Sequence, residues 1–352
     1  MYNYLNLIHS LFGLNGGHMK ALILAGGYGT RLMPLTANKP KPMIPILNKP
    51  VILHIIEHLK ANSIKSIAVA VSHLSEKITG YLSDGSGLGV SITYFYDKEP
   101  LGTAGCVKNA APFLDGRFIV VSGDSFTDID LREAAAFHDG HGALGTLILK
   151  RMGNAKGCGV VETDGDMAIT RFEEKPRHAH TGEYTVNTGI YIFEPAILER
   201  IPPNVRFDFA KDLFTPRHAV DGYKGYVAEG YWSDVGSLRS YLDVHVDILR
   251  KGYLGAGDRR RAVTRGRGCV IHDESVVEGP CVLGDDVTIG PGCAIGPYAV
   301  VGEGTSIGRG CHISRSILWD GCVVGEGSCL KDTVISSGRR IGAHSKVRKA
   351  II

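Results

Sequence analysis

A glycine-rich turn followed by two cations is the segment of this sequence best suited to chemistry. In residues 24–50 (LAGGYGTRLMPLTANKPKPMIPILNKP) an apolar run leads into three glycines, Gly26, Gly27 and Gly29. Glycine lets the backbone approach a phosphate closely and direct N–H groups at it. Arg31 follows, and Lys41 comes next in a proline-stiffened loop. Two cations beside such a turn suit a triphosphate. The spacing matches neither the dinucleotide GxGxxG motif nor the P-loop motif.

This segment resembles the signature of the sugar nucleotidyltransferases (NDP-sugar pyrophosphorylases). Further motifs of that family follow in the same order: LGTAG (residues 101–105), GD (123–124), FEEKP (172–176), VNTGIYIF (186–193) and YWSDVG (231–236). The stretches EPLGTAG, FDFAKDLF and GYWSDVGSL are closest to the mannose-1-phosphate guanylyltransferase branch. The resemblance runs from Met19 to the C-terminus, because several branches of the family also carry a hexapeptide β-helix.

The resemblance implies catalytic, metal-binding and sugar-phosphate-binding residues. Arg31 and Lys41 are expected to hold the triphosphate, with Arg31 stabilising the leaving group. Asp124 and Asp234 resemble a pair that binds Mg²⁺, a cation that prefers carboxylate, phosphate and water oxygens. Lys175 is expected to contact the sugar phosphate. The residues implied at the sugar itself are Gly159, Glu174 and Asn187.

The resemblance also implies a nucleotide-binding set: Leu24, Ala25, Gly26, Gly27, Gly29, Thr30, Glu99, Gly102 and Thr103. Branches that use thymidine or uridine triphosphate read the pyrimidine with amides near the LGTAG position. This chain has Asp97 and Glu99 there instead. A carboxylate can accept the N1–H and N2–H₂ donors of guanine, which favours GTP. The other interpretation is that both acids are solvated loop residues.

The implied reaction joins a sugar 1-phosphate to a nucleoside triphosphate and releases pyrophosphate. The attacking phosphate oxygen is already anionic, because the second phosphate pKa is about 6. No general base is therefore required, which agrees with motifs that contain no histidine. The obstacle is electrostatic, so cations and a divalent metal should supply most of the catalysis. The sugar stays open among mannose, a manno-heptose and glucose.

Two regions of different periodicity must position these residues. Residues 19–254 alternate apolar strand-like runs (20–25, 66–71, 118–121 and 144–150) with helical or turn segments such as the helix predicted over 50–61. That alternation predicts an α/β, Rossmann-like domain with a mixed, mainly parallel sheet. Asp124 follows a strand directly, where open α/β sheets place ligands.

The C-terminal region repeats every six residues. Aliphatic side chains recur at Val277, Leu283, Ile289, Ile295, Val301, Ile307 and Ile313, and the register slips after Asp320. Such hexapeptides predict a left-handed parallel β-helix over 269–352. Cys293 and Cys311, one coil apart, are predicted to be small buried core thiols, although a metal site or disulfide is conceivable. We expect the β-helix to mediate homo-oligomerisation.

Composition excludes several classes of function. The net charge is +3 over 352 residues, and 44% of residues are hydrophobic. Neither value indicates a nucleic-acid or membrane partner. Residues 1–18 lack the features of a signal peptide and are predicted to be an N-terminal extension. Residues 255–268, rich in glycine and arginine, are predicted to be a solvated linker. The eight scattered cysteines indicate reduced thiols and a cytoplasmic protein.

Three other functions remain open from the residues. His54 and His58 formally match the H-x-x-E-H pattern of metalloproteases. Acyl transfer by the β-helix would need a histidine such as His312 or His344. A regulatory paralogue that senses sugar nucleotides is the third. The presence of every expected cation and carboxylate favours an active enzyme.

Overall fold

The computed structural model describes residues 19–97, 99–176, 182–215, 222–251 and 262–352. The predicted extension (1–18) and residues 255–261 of the predicted linker lie outside these ranges. The remainder of that linker contains a strand, Val263–Arg265, which pairs with Cys281–Leu283. The first coil of the β-helix therefore begins at Val263, ahead of the predicted boundary at residue 269.

A nine-stranded mixed sheet forms the core of the first domain. In chain order its strands are β1 (Lys20–Leu24), β4 (Ser66–Val71), β5 (Ser91–Tyr96), β6 (Phe118–Ser122), β8 (Gly145–Met152), β9 (Gly159–Thr163), β10 (Ile169–Glu174), β11 (Tyr184–Phe193) and β12 (Tyr223–Val227). Two short pairs lie beside it, formed by β2 (Pro45–Ile46) with β3 (Lys49–Pro50) and by β7 (Ser125–Thr127) with β13 (Trp232–Asp234). Strands β5, β4, β1 and β6 are parallel neighbours, and β11 joins β6 in the antiparallel sense.

Five α-helices are described in this domain: α1 (Val51–Ala61), α2 (Ser75–Leu82), α3 (Gly102–Asn109), α4 (Leu131–Asp139) and α5 (Leu238–Lys251). Strand β1, KALIL, is apolar after Lys20 because both faces of the sheet are covered, and Ala21, Leu22 and Ile23 are fully buried. The helix predicted over 50–61 begins one residue later, since Pro50 still belongs to β3. The alternation of strands and helices that the sequence predicts is confirmed.

The β7–β13 ribbon brings two distant carboxylates together. Asp124 follows β6 after Gly123, whose N–H donates to the Leu24 carbonyl at 3.0 Å. Strand β7 begins at the next residue, and its first residue, Ser125, is paired with Asp234 at the end of β13. The N–H of Val235 donates to the Asp124 carbonyl at 3.1 Å. Backbone pairing therefore holds the two acids side by side at the carboxyl ends of β1 and β6.

The C-terminal domain is a left-handed parallel β-helix with three five-stranded faces. The first face consists of Val263–Arg265, Cys281–Leu283, Val300–Val301, Ile317–Leu318 and Val334–Ile335. The second consists of Val270–Ile271, Thr288–Ile289, Ser306–Ile307, Val323–Val324 and Arg340–Ile341. The third consists of Val276–Val277, Ala294–Ile295, His312–Ser314, Cys329–Lys331 and Lys346–Arg348.

The six-residue register slips between Ile313 and Leu318, before the position predicted after Asp320. The buried column continues from Ile313 to Leu318, a step of five residues, and from Leu330 to Ile335 by the same step. Both short steps lie at the corner between the third and first faces. Arg315 and Asp332 sit at these stacked corners and form an ion pair of 2.7 Å. Ile317, which precedes Leu318 in its strand, belongs to the core shared with the first domain.

The buried cysteines fit the prediction of small core thiols. Cys293 and Cys311 are free and buried. The Cys293 thiol donates to the Gly308 carbonyl at 3.0 Å and the Cys311 thiol to the Gly325 carbonyl at 3.2 Å. Each thiol thus pairs with backbone of the next coil.

The first face of the β-helix packs against the α/β domain. Its outward side chains are apolar: Val282, Val300, Ile317 and Val334. They share one hydrophobic core with residues of the first domain such as Ile46 and Tyr241. At the equivalent outward positions of the second face the side chains are Thr288, Ser306, Val323 and Arg340. Burial of apolar area, worth about 25 cal/mol per Å², holds the two domains together.

The described helices are too short or too polar to cross a membrane. The longest α-helix among them, α5, has 14 residues.

The docked face predicts a large difference between two matched substitutions. Val300→Asp should lower the free energy of unfolding by about 3 kcal/mol or more, because it places an unpaired carboxylate in the interdomain core. Val323→Asp, at an outward position of the second face, should cost less than about 1 kcal/mol. Urea unfolding followed by circular dichroism measures both. Equal losses would show that the first face is not the docked one.

Candidate active site

Two adjoining cavities lie at the carboxyl end of the parallel strands. One has a volume of about 300 Å³ and is lined by Arg31, Gly159, Glu174, Lys175, Asn187 and Asp234, among others. The other, of about 310 Å³, is lined by residues 24–28, Lys41, Asp97 and residues 100–103, among others. They share five lining residues: Leu24, Thr103, Ser122, Asp124 and Asp208. Two ligands could therefore meet beside Asp124.

The glycine turn forms one wall of the second cavity, which is lined by Leu24, Ala25, Gly26 and Gly27. Gly29 and Thr30 are not among the lining residues. Gly29 instead allows the turn and the Lys41 loop to pack together. Gly29 has a φ of +64°, and a Cβ there would lie 2.9 Å from the Thr36 side chain and 3.1 Å from the Lys41 Cβ. Its conformation and the close approach of the Lys41 loop both require glycine.

Lys41 lies between the two carboxylates. Its side chain is only 9% exposed, and Nζ contacts Asp124 Oδ2 and lies 3.3 Å from Asp234 Oδ1. Ser122 Oγ donates to the other Asp124 oxygen at 2.5 Å. Arg31 is more exposed, at 63%, and its guanidinium lies 3.9 Å from Asp234 Oδ2. Residues separated by 193 positions in the chain thus form one charged cluster.

The two carboxyl groups have opposite pKa shifts. Burial opposes ionisation of Asp124, but the charge and hydrogen bond of Lys41 outweigh it, so its pKa lies below the usual value. The pKa of Asp234 is raised by burial and by the neighbouring Asp124 charge, against the opposing effects of Lys41 and Arg31. Lys41 and Arg31 therefore do not fully compensate the two adjacent carboxylates, and the pair can accommodate further positive charge.

The donor set fits a hard divalent cation. Two carboxylates supply oxygen ligands, which such ions prefer. Within the described ranges, no group of three or more His, Cys, Asp and Glu side chains is placed to hold a metal. Further ligands would therefore come from substrate phosphate and water, as is usual for Mg²⁺ in nucleotide enzymes.

The polar residues expected at the sugar phosphate line the first cavity. Asn187 Nδ2 donates to Tyr191 Oη at 2.8 Å, and its Oδ1 accepts from the Gly189 N–H at 3.1 Å, which fixes the amide orientation. Lys175 forms an ion pair with Glu174 and is 55% exposed. A Cβ on Gly159 would lie 2.7 Å from the Phe172 ring and 3.0 Å from Glu174 Oε2. Glycine at 159 therefore leaves room for the Glu174 carboxylate.

The two acids before LGTAG lie in different environments. Asp97 is 6% exposed and lines the second cavity. The Cys106 thiol donates to one of its oxygens and the Asn109 amide to the other, each at 2.8 Å. Glu99 is exposed and is not among the residues that line the cavity. Gly102 and Thr103 both line it, at the start of α3.

Comparison with known proteins identifies the family. The nucleotidyl transferase family matches residues 20–251, and the GMPPB C-terminal domain matches residues 277–352. The chain belongs to the nucleotidyl transferase family. It is a sugar-1-phosphate nucleotidyltransferase, and enzymes of this kind generally use a divalent metal ion.

The names of several relatives of this nucleotidyltransferase state an enzymatic activity. The chain is 35% identical over 348 residues to a probable mannose-1-phosphate guanylyltransferase 1 of Oryza sativa, with 94% of the chain and 87% of the relative covered. It is 36% identical to the catalytic subunit beta of the Danio rerio enzyme (89% and 87% covered). It is 33% identical to a UTP–glucose-1-phosphate uridylyltransferase of Synechocystis (90% and 87% covered).

A solved structure shares the fold of the nucleotidyltransferase domain. HddC from Yersinia pseudotuberculosis, crystallised with GMP-PN, is 26% identical with a TM-score of 0.56. The match covers 64% of this chain and 97% of HddC.

Residues to which the sequence assigned no role also line the candidate site. Among them, Ser122, Tyr191, Arg206 and Asp208 line one or both cavities. Asp208 accepts from the Thr103 hydroxyl at 3.1 Å, and that hydroxyl accepts from the Phe209 N–H at 2.9 Å. Asp208 belongs to FDFAKDLF, one of the stretches that resemble the family, so the sequence contains a signal for its role. Ser122 carried one too, as the last strand residue before Gly123–Asp124.

The histidine alternatives have different local explanations. His54 is buried, and its Nε2 lies 2.9 Å from the Ile46 carbonyl, so it supports the β2–β3 hairpin. His344 is exposed and lies 3.8 Å from Glu326. His312 is exposed on the third face of the β-helix. Neither lines the two cavities described above.

The opposite pKa shifts predict opposite effects on stability of two similar substitutions. Asp124 contributes stability above its unfolded pKa that is lost at acid pH, so Asp124→Asn should lower the melting temperature at pH 7. Ionised Asp234 costs free energy above its raised folded pKa, so Asp234→Asn should leave the melting temperature unchanged or higher. Both should reduce kcat by at least about 100-fold. Thermal melts in EDTA and initial rates measure these effects.

The difference in melting temperature between the two variants tests that prediction. Equal destabilisation by both would contradict the electrostatic account of the pair. Near-normal rates in either variant would contradict the assignment of both carboxylates to the reaction.

Proposed function

We propose that this enzyme transfers a guanylyl group from GTP to mannose 1-phosphate, with Mg²⁺ as the divalent ion, and forms GDP-mannose and pyrophosphate. The guanylyltransferase relatives support this choice. Asp97 is the observation in the structure that carries it, since it presents a buried carboxylate to the cavity beside the glycine turn.

Asp97 is suited to guanine rather than to a pyrimidine. A carboxylate accepts about four hydrogen bonds, so each oxygen retains acceptor capacity beside its donor from Cys106 or Asn109. Guanine offers adjacent N1–H and N2–H₂ donors that match two oxygens. Uracil and thymine offer a single ring N–H flanked by two carbonyl oxygens, which a carboxylate repels. Asp97 should therefore favour GTP over UTP and dTTP.

The first cavity is the proposed site of the sugar phosphate. Asn187, oriented by Tyr191 and Gly189, and Glu174 supply donors and acceptors for sugar hydroxyls. The exposed ammonium of Lys175 lies beside Glu174 and can pair with the phosphate. Mannose and a manno-heptose share the axial 2-hydroxyl that these residues would read. The names of the relatives favour mannose.

The proposed reaction is an in-line displacement at the α-phosphorus of GTP. An anionic oxygen of mannose 1-phosphate forms a bond to that phosphorus, while the bond to the β-phosphate oxygen breaks and its electron pair leaves with pyrophosphate. Leu24 to Gly27 line the triphosphate cavity. The positive charges of Arg31 and Lys41 stabilise the negative charge that builds on the leaving pyrophosphate. No side chain needs to remove a proton, because the nucleophile is ionised at neutral pH.

Asp124 and Asp234 are the proposed ligands of Mg²⁺, which when bound supplies charge neutralisation between the two phosphate groups. Lys41 contacts the same two carboxylates. Turning its ammonium towards a bound triphosphate would free both acids for the metal. Lys41 therefore both stabilises the acidic pair and provides a cation for the substrate.

A second candidate is uridylyl transfer to glucose 1-phosphate, which the Synechocystis relative favours. It uses the same chemistry and differs only at the base and sugar. The role of Asp97 opposes it. A non-catalytic nucleotide-sugar sensor is a further alternative, which the intact charged cluster does not favour.

A substrate grid tests the proposed function. We expect pyrophosphate release with Mg²⁺ to be greatest for GTP with mannose 1-phosphate, over four nucleoside triphosphates and the 1-phosphates of mannose, manno-heptose, glucose and N-acetylglucosamine. Excess EDTA should abolish the release. A maximum at UTP with glucose 1-phosphate would establish the second candidate. No release from any pair would support the sensor.

Base selection should depend on Asp97 and not on its neighbour Glu99. Asp97→Asn replaces one acceptor oxygen by a donor and should lower kcat/KM for GTP by about 10- to 100-fold, which corresponds to about 1–3 kcal/mol. The kcat/KM for UTP should fall less. Glu99→Gln is the matched control and should change both values less than about twofold, because Glu99 is exposed outside the cavity. Loss of GTP preference in Glu99→Gln alone would transfer the role to that residue.

A further inference from the structure

The loop that carries Lys41 is held from the β-helix as well as from its own domain. It runs from the glycine turn through a short helical turn, Lys41–Met43, into the β2–β3 hairpin. Leu47 and Asn48 form the tip of that hairpin, with φ values of 48° and 64°. The tip is directed at the first face of the β-helix, where Asn48 Nδ2 donates to the Val301 carbonyl at 2.8 Å.

A second connection runs through an aromatic pair. Trp319, at the end of a first-face strand, is 3% exposed, and its Nε1–H donates to Tyr241 Oη at 2.9 Å. The Tyr241 hydroxyl in turn donates to the carbonyl of Pro45, the first residue of the hairpin. Tyr241 is fully buried, so this hydrogen-bonded pair is shielded from competing water.

A third connection lies just before the catalytic lysine. Lys39 Nζ lies 4.9 Å from the centre of the Trp319 ring, within the range of a cation–π contact. Burial lowers the pKa of Lys39, while the nearby Asp320 charge opposes that shift and Lys77 adds to it. Both Trp319 and Asp320 belong to the β-helix. Direct contacts with this second domain therefore flank Lys41, at the residue two positions before it and at the residue seven positions after it. The contact through Tyr241 adds Pro45, four positions after it.

We infer that the β-helix positions the catalytic lysine, with Asn48 and Trp319 as positioning residues that hold the Lys41 loop against the acidic pair. The Lys41 ammonium must reach two carboxylates and a phosphate, and a displacement of about 1 Å in such a group can cost about 100-fold in rate. The β-helix is thus part of the catalytic apparatus. This inference rests on the role proposed for Lys41.

Two conservative substitutions remove the two hydrogen-bonded connections and keep the contact between Lys39 and an aromatic ring. Asn48→Gly deletes the amide and keeps a residue that accepts a positive φ. Trp319→Phe deletes the N–H donor and keeps an aromatic ring beside Lys39. The double variant should lower kcat by about 10- to 100-fold. The KM for the sugar phosphate should change less than about twofold, because the sugar cavity contains none of these residues.

Leu330→Ala is the matched control for general weakening of the β-helix. Leu330 is fully buried inside the coil and belongs to a core cluster separate from the one that contains the Lys41 loop. It should lower the melting temperature at least as much as the double variant does, since a buried Leu→Ala costs about 2–5 kcal/mol. Its kcat, measured well below the melting transition, should stay within about twofold of the wild type.

Lys41→Ala separates failure of this inference from failure of the proposed site. All variants are assayed as the full chain with the best pair from the substrate grid. An inactive Lys41→Ala together with a double variant of normal kcat would overturn the positioning role and leave the site assignment intact. An active Lys41→Ala would overturn the role of Lys41 itself. A loss of kcat in Leu330→Ala as large as that in the double variant would show that only general stability is involved.

Discussion

The structure depends on holding two carboxylates side by side where the two cavities adjoin. Asp124 and Asp234 come together because β7 pairs with β13, which fixes their backbones. Such a pair repels itself, and the raised pKa of Asp234 reflects burial and that repulsion. Lys41 reduces the cost by contacting both acids. The result is a site that is stable enough to fold and retains affinity for more positive charge.

This arrangement explains the positions of the neighbouring groups. Ser122 donates to Asp124 and so supports its ionised form. Arg31 remains largely exposed near Asp234 and lines the first cavity. Asp208 and Thr103 line both cavities and are joined by a hydrogen bond. Arg31 is thus the exposed cation of the cluster, and Lys41 is the buried one.

Much of the fold was accessible from the sequence because local patterns specify it. The buried strand before the glycines, the helix after Pro50 and the six-residue repeat each have a period that a single element explains. Ordered motifs also indicated which residues line the cavities. The pairing of β7 with β13 joins segments about a hundred residues apart and has no local signature. For that reason the contact of Lys41 with both acids was not predictable, and neither was the exclusion of Glu99 from the cavity.

The docked face of the β-helix shows where a sequence signal was present but easily missed. A coil strand normally needs one aliphatic side chain, directed inwards. On the first face both residues are aliphatic in Val300–Val301, Ile317–Leu318 and Val334–Ile335, whereas Thr288–Ile289 and Ser306–Ile307 on the second face have a polar outward residue. A column of extra aliphatic residues every seventeen or so positions indicates a face that another surface covers. Here that surface includes the hairpin after Lys41, so the same hydrophobic burial that joins the domains also constrains the catalytic loop.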